Sequence, residues 1–133
     1  MKNLLLITTI IALLSILSSC NKNDDAPTLG ADVKVTVVNS LGEVQDGVTV
    51  YMYKDQEVTN STKISDAKKQ VITDSNGVAD FYLSFTELNI LESQTSLYFA
   101  VFYSLGTENR VAGSVGVTVK RDDVKNLTLE IPL

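Results

Sequence analysis

The chain of 133 residues sets sixteen acidic side chains against eleven basic ones, with no histidine, no tryptophan and a single cysteine. Without histidine there is no Ser-His-Asp or Cys-His nucleophilic system and no imidazole zinc site, and one cysteine makes neither an internal disulfide nor a thiolate cluster. The negative balance opposes nucleic acid and anionic lipid headgroups, the length fits one domain, and a purely carboxylate hydrolytic mechanism stays formally open.

Lys2 places a positive charge at the start, and the apolar run from Leu4 to Leu17 is interrupted only by Thr8, Thr9 and Ser15. That run is shorter than the about 20 residues of a spanning helix and suits the about 7–15 of an export signal. Leu17-Ser18-Ser19-Cys20 then resembles the lipobox of bacterial lipoproteins: an aliphatic residue, two small ones, then cysteine. The resemblance implies removal of residues 1–19, diacylglycerol on the Cys20 thiol and membrane attachment through that lipid. It also explains an odd cysteine in an exported chain, and two or more acyl chains anchor stably where one is marginal.

Residues 20–31 are polar and small, with Pro27 and Gly30 as punctuation, and read as a flexible tether. Asp24 and Asp25 resemble the acidic export signal of surface lipoproteins in Bacteroidetes-type bacteria, which implies an outer-membrane protein facing outward. A solvated linker fits the same two residues equally well. With Lys2 removed, ten basic residues face sixteen acidic ones, a net charge of −6.

From residue 32 onward, alternation with period two dominates. Val33, Val35 and Val37 point one way and Lys34 and Thr36 the other; after a polar turn, Val48, Val50 and Met52 alternate with Thr49, Tyr51 and Tyr53. Residues 54–70 show no period and read as a long loop, strand character returning at Gln70 to Thr73. Asp74-Ser75-Asn76-Gly77 has the chemistry of a hairpin turn, leading to Ala79, Phe81 and Leu83 on one face.

Phe85, Leu88 and Leu91 at three-residue spacing predict a short turn of helix crossing between sheets. Leu97 to Ser104 is nearly all apolar and predicts a central strand covered on both faces. Val111 to Val119 contains Gly113 and Gly116, which predict a bulge or a close backbone approach, and Leu127, Leu129 and Ile131 form the last alternating run. The expectation is an all-β domain over residues 32–133, a single seven-stranded antiparallel Greek-key-type β-sandwich.

The stretch from Gly42 to Tyr53, followed by Thr73-Asp74-Ser75-Asn76-Gly77-Val78-Ala79-Asp80-Phe81, resembles transthyretin-like (prealbumin-like) domains, among them carboxypeptidase-regulatory-like and collagen-adhesin B-type modules. The resemblance spans most of residues 32–131 and implies a sandwich serving as a structural, adhesive or accessory module. It also implies a place to look for an internal Lys-Asn crosslink, at Lys34 and Asn126, although Lys34 lies opposite the valine face and reads as solvated.

Asp74, Asn76 and Asp80 carry oxygens at alternate positions, as calcium loops do, but Ala79 stands where such a loop needs glycine and Phe85 where it needs glutamate. The residues therefore ask for no metal and no cofactor, and none is assigned a catalytic role. Tyr51 and Tyr53 share a face away from Val50 and Met52 and form the candidate binding patch. The expected function is a lipid-anchored, non-enzymatic envelope module contacting a protein or glycan partner, with no nucleic acid involved and the oligomeric state left open. Alternatives are a minor fimbrial or adhesive assembly subunit and, behind it, a carboxylate hydrolase using two of Asp80, Glu87, Glu92 and Glu108.

Overall fold

The computed structural model describes residues 30–132; Cys20, the segment 1–19 and residues 20–29 lie outside the described residues. Seven strands form among those residues: β1 (Gly30–Asn39), β2 (Thr49–Lys54), β3 (Lys69–Ile72), β4 (Val78–Ser84), β5 (Gln94–Leu105), β6 (Glu108–Lys120) and β7 (Val124–Ile131). They make two packed sheets, ordered β4-β1-β7 and β3-β2-β5-β6. Among the described residues no helix is long and apolar enough to cross a membrane.

The alternating valines explain the stacking. Val33, Val35 and Val37 of β1 are fully buried, as are Val50 and Met52 of β2 and Leu97 and Phe99 of β5. Each such side chain contributes about 1.5–3 kcal/mol on leaving water. Phe81 of β4 meets Phe99 of β5 edge to face, with ring centroids 5.0 Å apart at 61°, and so ties one sheet to the other.

One expectation about pairing is corrected. The sandwich is not wholly antiparallel, because β7 runs parallel to β1, Asp32 beside Val124 through Asn39 beside Ile131. β6 ends at Lys120 close to where β1 begins, and the Asp122 N–H donates to the Gly30 carbonyl at 2.7 Å. A chain that changes sheet at that end must set out in the same direction as β1.

The Asp74–Gly77 turn is likewise no hairpin, for it joins β3 of one sheet to β4 of the other. Its chemistry is the expected one: Asp74 Oδ1 accepts the N–H groups of Asn76 and Val78 at 2.9 and 3.0 Å. Gly77 takes φ 72°, and a Cβ there would sit 2.7 Å from the Val44 Cβ. Only glycine fits.

Residues 84–90 form a single hydrogen-bonded turn in place of a helix. The Leu88 N–H reaches the Ser84 carbonyl, then Asn89 adopts φ 54° and the Ile90 N–H returns to the Phe85 carbonyl at 2.8 Å. This is a Schellman closure with asparagine at the left-handed position, and its apolar contact pairs Phe85 with Ile90. Ile90 is therefore buried while Leu91, the residue marked by the three-residue spacing, is 84% exposed.

The two strand glycines behave as expected. The pairing of β5 with β6 shifts between Val101 and Phe102, leaving Ala112 as the extra residue of a bulge beside Gly113. A Cβ on Gly113 would lie 2.2 Å from the Glu130 carbonyl oxygen, so β6 and β7 close against each other along this side of the sandwich. Gly116 lies under the ring of Tyr98.

Candidate functional site

Tyr51 and Tyr53 project from the outer face of the four-stranded sheet, where the sequence places them, but their fates differ. Residues 54–68 fold back over that face. Tyr53 is fully buried beneath them, and its hydroxyl donates to the Lys63 carbonyl at 3.1 Å. Burial raises its phenol pKa above the ordinary value, and the charge of Asp66 adds to the effect. The expected exposed pair is thus reduced to Tyr51, which is half-buried.

Phe102 of β5 completes the aromatic group. Its ring stands 5.7 Å from Tyr51 at 72° and 6.4 Å from Tyr53 at 65°. The loop above is held by its own small polar side chains: the Thr59 N–H donates to Thr62 Oγ1 at 2.9 Å and the Ser61 N–H to Thr59 Oγ1 at 3.2 Å. Across the sheet, Asn60 Oδ1 accepts the Val111 N–H of β6 at 3.2 Å, next to the bulge. A backbone donor of the edge strand β6 thereby fastens the loop.

Between this loop and the β5–β6 turn lies a groove made of two neighbouring depressions that share Ile64 and Asn109 in their walls. One part, of ≈ 600 Å³, lies between residues 60–65 and residues 108–110. The other, of ≈ 320 Å³, is floored by Tyr51, Phe102 and Val101, with Thr49 and Ser104 at its side. Both fall within the about 300–1,000 Å³ of small-ligand clefts. Glu108 and Arg110 neutralise each other at 3.0 Å.

The groove sits toward one end of the sandwich. Leu105 and Glu108, at the β5–β6 turn, close that end, whereas Gly30, paired with Ser84 and bonded to Asp122, lies at the opposite one. Gly30 therefore lies far from the groove.

The remaining sequence candidates are dispersed. Glu108 lines the groove; Glu92 lies at the Gly30 end in a shallow depression with Asp55. Lys54, 3.1 Å from Asp55, holds that carboxyl below its usual range, helped by the Ser96 N–H and the Thr95 hydroxyl, so it serves as an ionised acceptor and not as a general acid. Asp74 is engaged in its turn. Asp80 sits on the exposed outer face of the three-stranded sheet, and among the described residues no group of three or more ligating side chains is placed to hold a metal.

On that same face Lys34 lies between its register partners Asp80 and Asn126, and all three are exposed. The crosslink seen in adhesin-type modules needs a lysine and an asparagine enclosed with an acid, and this exposed arrangement does not supply that enclosure. Asp32 Oδ1 is buried and receives no N–H or O–H from the folded chain. The neighbouring Asp32 side chain, through hydrogen bonding and then desolvation and its charge, raises the Asp80 pKa against the opposing pull of Lys34.

No family model and no curated protein matches the sequence. Among solved structures, the chain is similar to a DUF3823 family protein from Parabacteroides merdae at 15% identity and a TM-score of 0.40, covering 80% of this chain and 47% of that one. It is similar to the shaft pilin SpaA of Lactobacillus rhamnosus GG at 11% identity and a TM-score of 0.43, covering 77% of this chain and 46% of that one. Catechol 1,2-dioxygenase of Pseudomonas arvilla C-1 matches at 11% identity and a TM-score of 0.41, covering 83% and 55%. The chain thus spans less than half of the first two, and likeness at this level shows no role for this protein.

Proposed function

We propose that this chain is a non-catalytic, lipid-anchored module of the outer membrane that binds an envelope or extracellular partner through the groove at Tyr51 and Phe102. The observation that carries the reading is position: the groove lies at the end of the sandwich away from Gly30, where a tether fixed to the membrane at Cys20 would enter. A lipid at one end and a preformed, loop-stiffened cleft at the other is the arrangement a display module needs. Asp80 lies on the outer face of the three-stranded sheet, Glu87 in the turn after β4, Glu92 in the depression at the Gly30 end and Glu108 in the groove, which does not favour the two carboxyls facing one bond that such hydrolysis needs.

In the alternative of a minor fimbrial or adhesive assembly subunit, a neighbour's strand would pair with a free sheet edge; on the edge strand β6 the Val111 N–H is already held by Asn60, which does not favour it. Two measurements test the proposal. Growth with an alkyne-bearing fatty acid should label the wild-type protein and leave Cys20→Ser unlabelled. The mature lipoprotein in detergent should capture a saturable partner from envelope extracts, and a protein that neither takes up lipid nor captures anything overturns the reading.

A further inference from the structure

We infer that the ligand of this groove is an uncharged oligosaccharide, an assignment that rests on the binding reading above and narrows it. Three observations point to this chemistry. The first is the pairing of surface types: the Tyr51 and Phe102 rings, set edge to face at 72°, line the groove, while Asn60, Ser61, Thr62 and the hydrogen-bonded pair Ser104 and Asn109 supply amides and hydroxyls around them. A sugar ring presents the matching surfaces, C–H groups that rest on the electron-rich face of an aromatic ring and hydroxyls that both donate and accept hydrogen bonds at its edge.

The second observation is charge. The mature chain carries −6, which opposes a polyanion. Within the groove Glu108 and Arg110 cancel, leaving Lys63 exposed on the rim, so a cationic ligand meets no row of acids either. The third concerns peptides. An extended peptide is bound chiefly by adding a strand to a free sheet edge, which needs unpaired backbone donors. Here the groove crosses the face of the sheet, and the nearby edge donor, the Val111 N–H, is already held by Asn60. An apolar helix would in turn bury the amides and hydroxyls of the rim without partners.

The test is calorimetric titration of the mature lipoprotein in detergent with neutral hexasaccharides of β-1,4-glucose, β-1,3-glucose, α-1,4-glucose, β-1,4-xylose and β-1,4-N-acetylglucosamine, and with a polygalacturonate of similar length. At least one neutral chain should bind. Tyr51→Ala should weaken it about tenfold or more, and Asn109→Ala, an exposed change that leaves the core intact, about threefold to tenfold. Tyr82→Ala on the opposite sheet should leave it unchanged. Absence of binding by every neutral chain, or tighter binding of the polyuronate, overturns the assignment. If an envelope protein is still captured in a Tyr51-dependent way, the binding module survives and only its glycan fails; if neither occurs, both fall.

Discussion

The two outer faces of this sandwich begin from the same alternation and end differently. On β1 and β4 the outward residues Lys34, Asp80 and Tyr82 stay in water, Tyr82 being 54% exposed. On β2 and β5 residues 54–68 cover the outward ring of Tyr53, which becomes as inaccessible as the core, while Tyr51 and Phe102 stay half-buried beside that loop. A period of two shows only which side of a strand turns away from the partner sheet. Whether that side meets solvent depends on where the loops lie, and a covered outer face is where a groove can be built.

The sharpest way to break the comparison is to remove what both faces rest on. Phe81→Ala empties the contact with Phe99 between the sheets and should cost about 3–5 kcal/mol, read as a lower denaturant midpoint with the two faces affected alike. Tyrosine truncations on the two faces should then separate them. Tyr53→Ala should cost about 3 kcal/mol or more by opening a cavity under the loop, while Tyr82→Ala should change stability by about 0.5 kcal/mol or less. Equal effects would mean that residues 54–68 do not cover the sheet.

A smaller change probes the roof alone. Asn60→Ala releases the Val111 N–H and should cost about 1 kcal/mol, with faster hydrogen exchange at Val111 and across residues 57–66. Unchanged exchange would show that the loop is held by other contacts. The bare face is probed by pH. Because the folded pKa of Asp80 is raised, the native state there binds more protons than the unfolded chain between the ordinary aspartate value and the raised one, and this contribution to stability falls as pH rises through that window. Asp80→Asn should flatten that dependence and stabilise the protein slightly at neutral pH; a variant that is less stable at neutral pH would contradict the Asp32–Asp80 pairing.

The core strands were legible because burial writes itself into period two: Val33, Val35, Val37, Phe81, Leu83 and Leu129 all face inward as their spacing predicts. Direction was not legible. β7 reads as an ordinary alternating strand, and its parallel pairing with β1 follows from the end at which residues 120–124 change sheet, which no local pattern records. The tight turns showed the same division, since Asp74 and Gly77 specify the bend while the sheets it connects are a matter of topology.

The candidate site was half visible. Tyr51 and Tyr53 share parity, so sequence assigns them one face and cannot tell the roofed ring from the open one. Phe102 reads from sequence as one of several strand aromatics, with Tyr82, Tyr98 and Tyr103, that either join a platform or pack a core, and its place in an apolar run favours core. Asn60 and Asn109 carry no signal at all, because a polar residue in an aperiodic segment looks the same whether it fastens a loop, lines a groove or meets bulk water. The one available sign was the length of the stretch after Lys54, long for a connection in a compact domain and therefore a place to look for function.

The central claim is that the roofed face binds and the bare face does not. Capture from envelope extracts by the protein purified in detergent from its native membrane, compared between Tyr51→Ala and Tyr82→Ala at matched thermal stability, tests it most directly. The account predicts that Tyr51→Ala loses capture by about tenfold or more while Tyr82→Ala matches the wild type. Retention by Tyr51→Ala together with loss by Tyr82→Ala would place the binding surface on the three-stranded sheet and contradict the account.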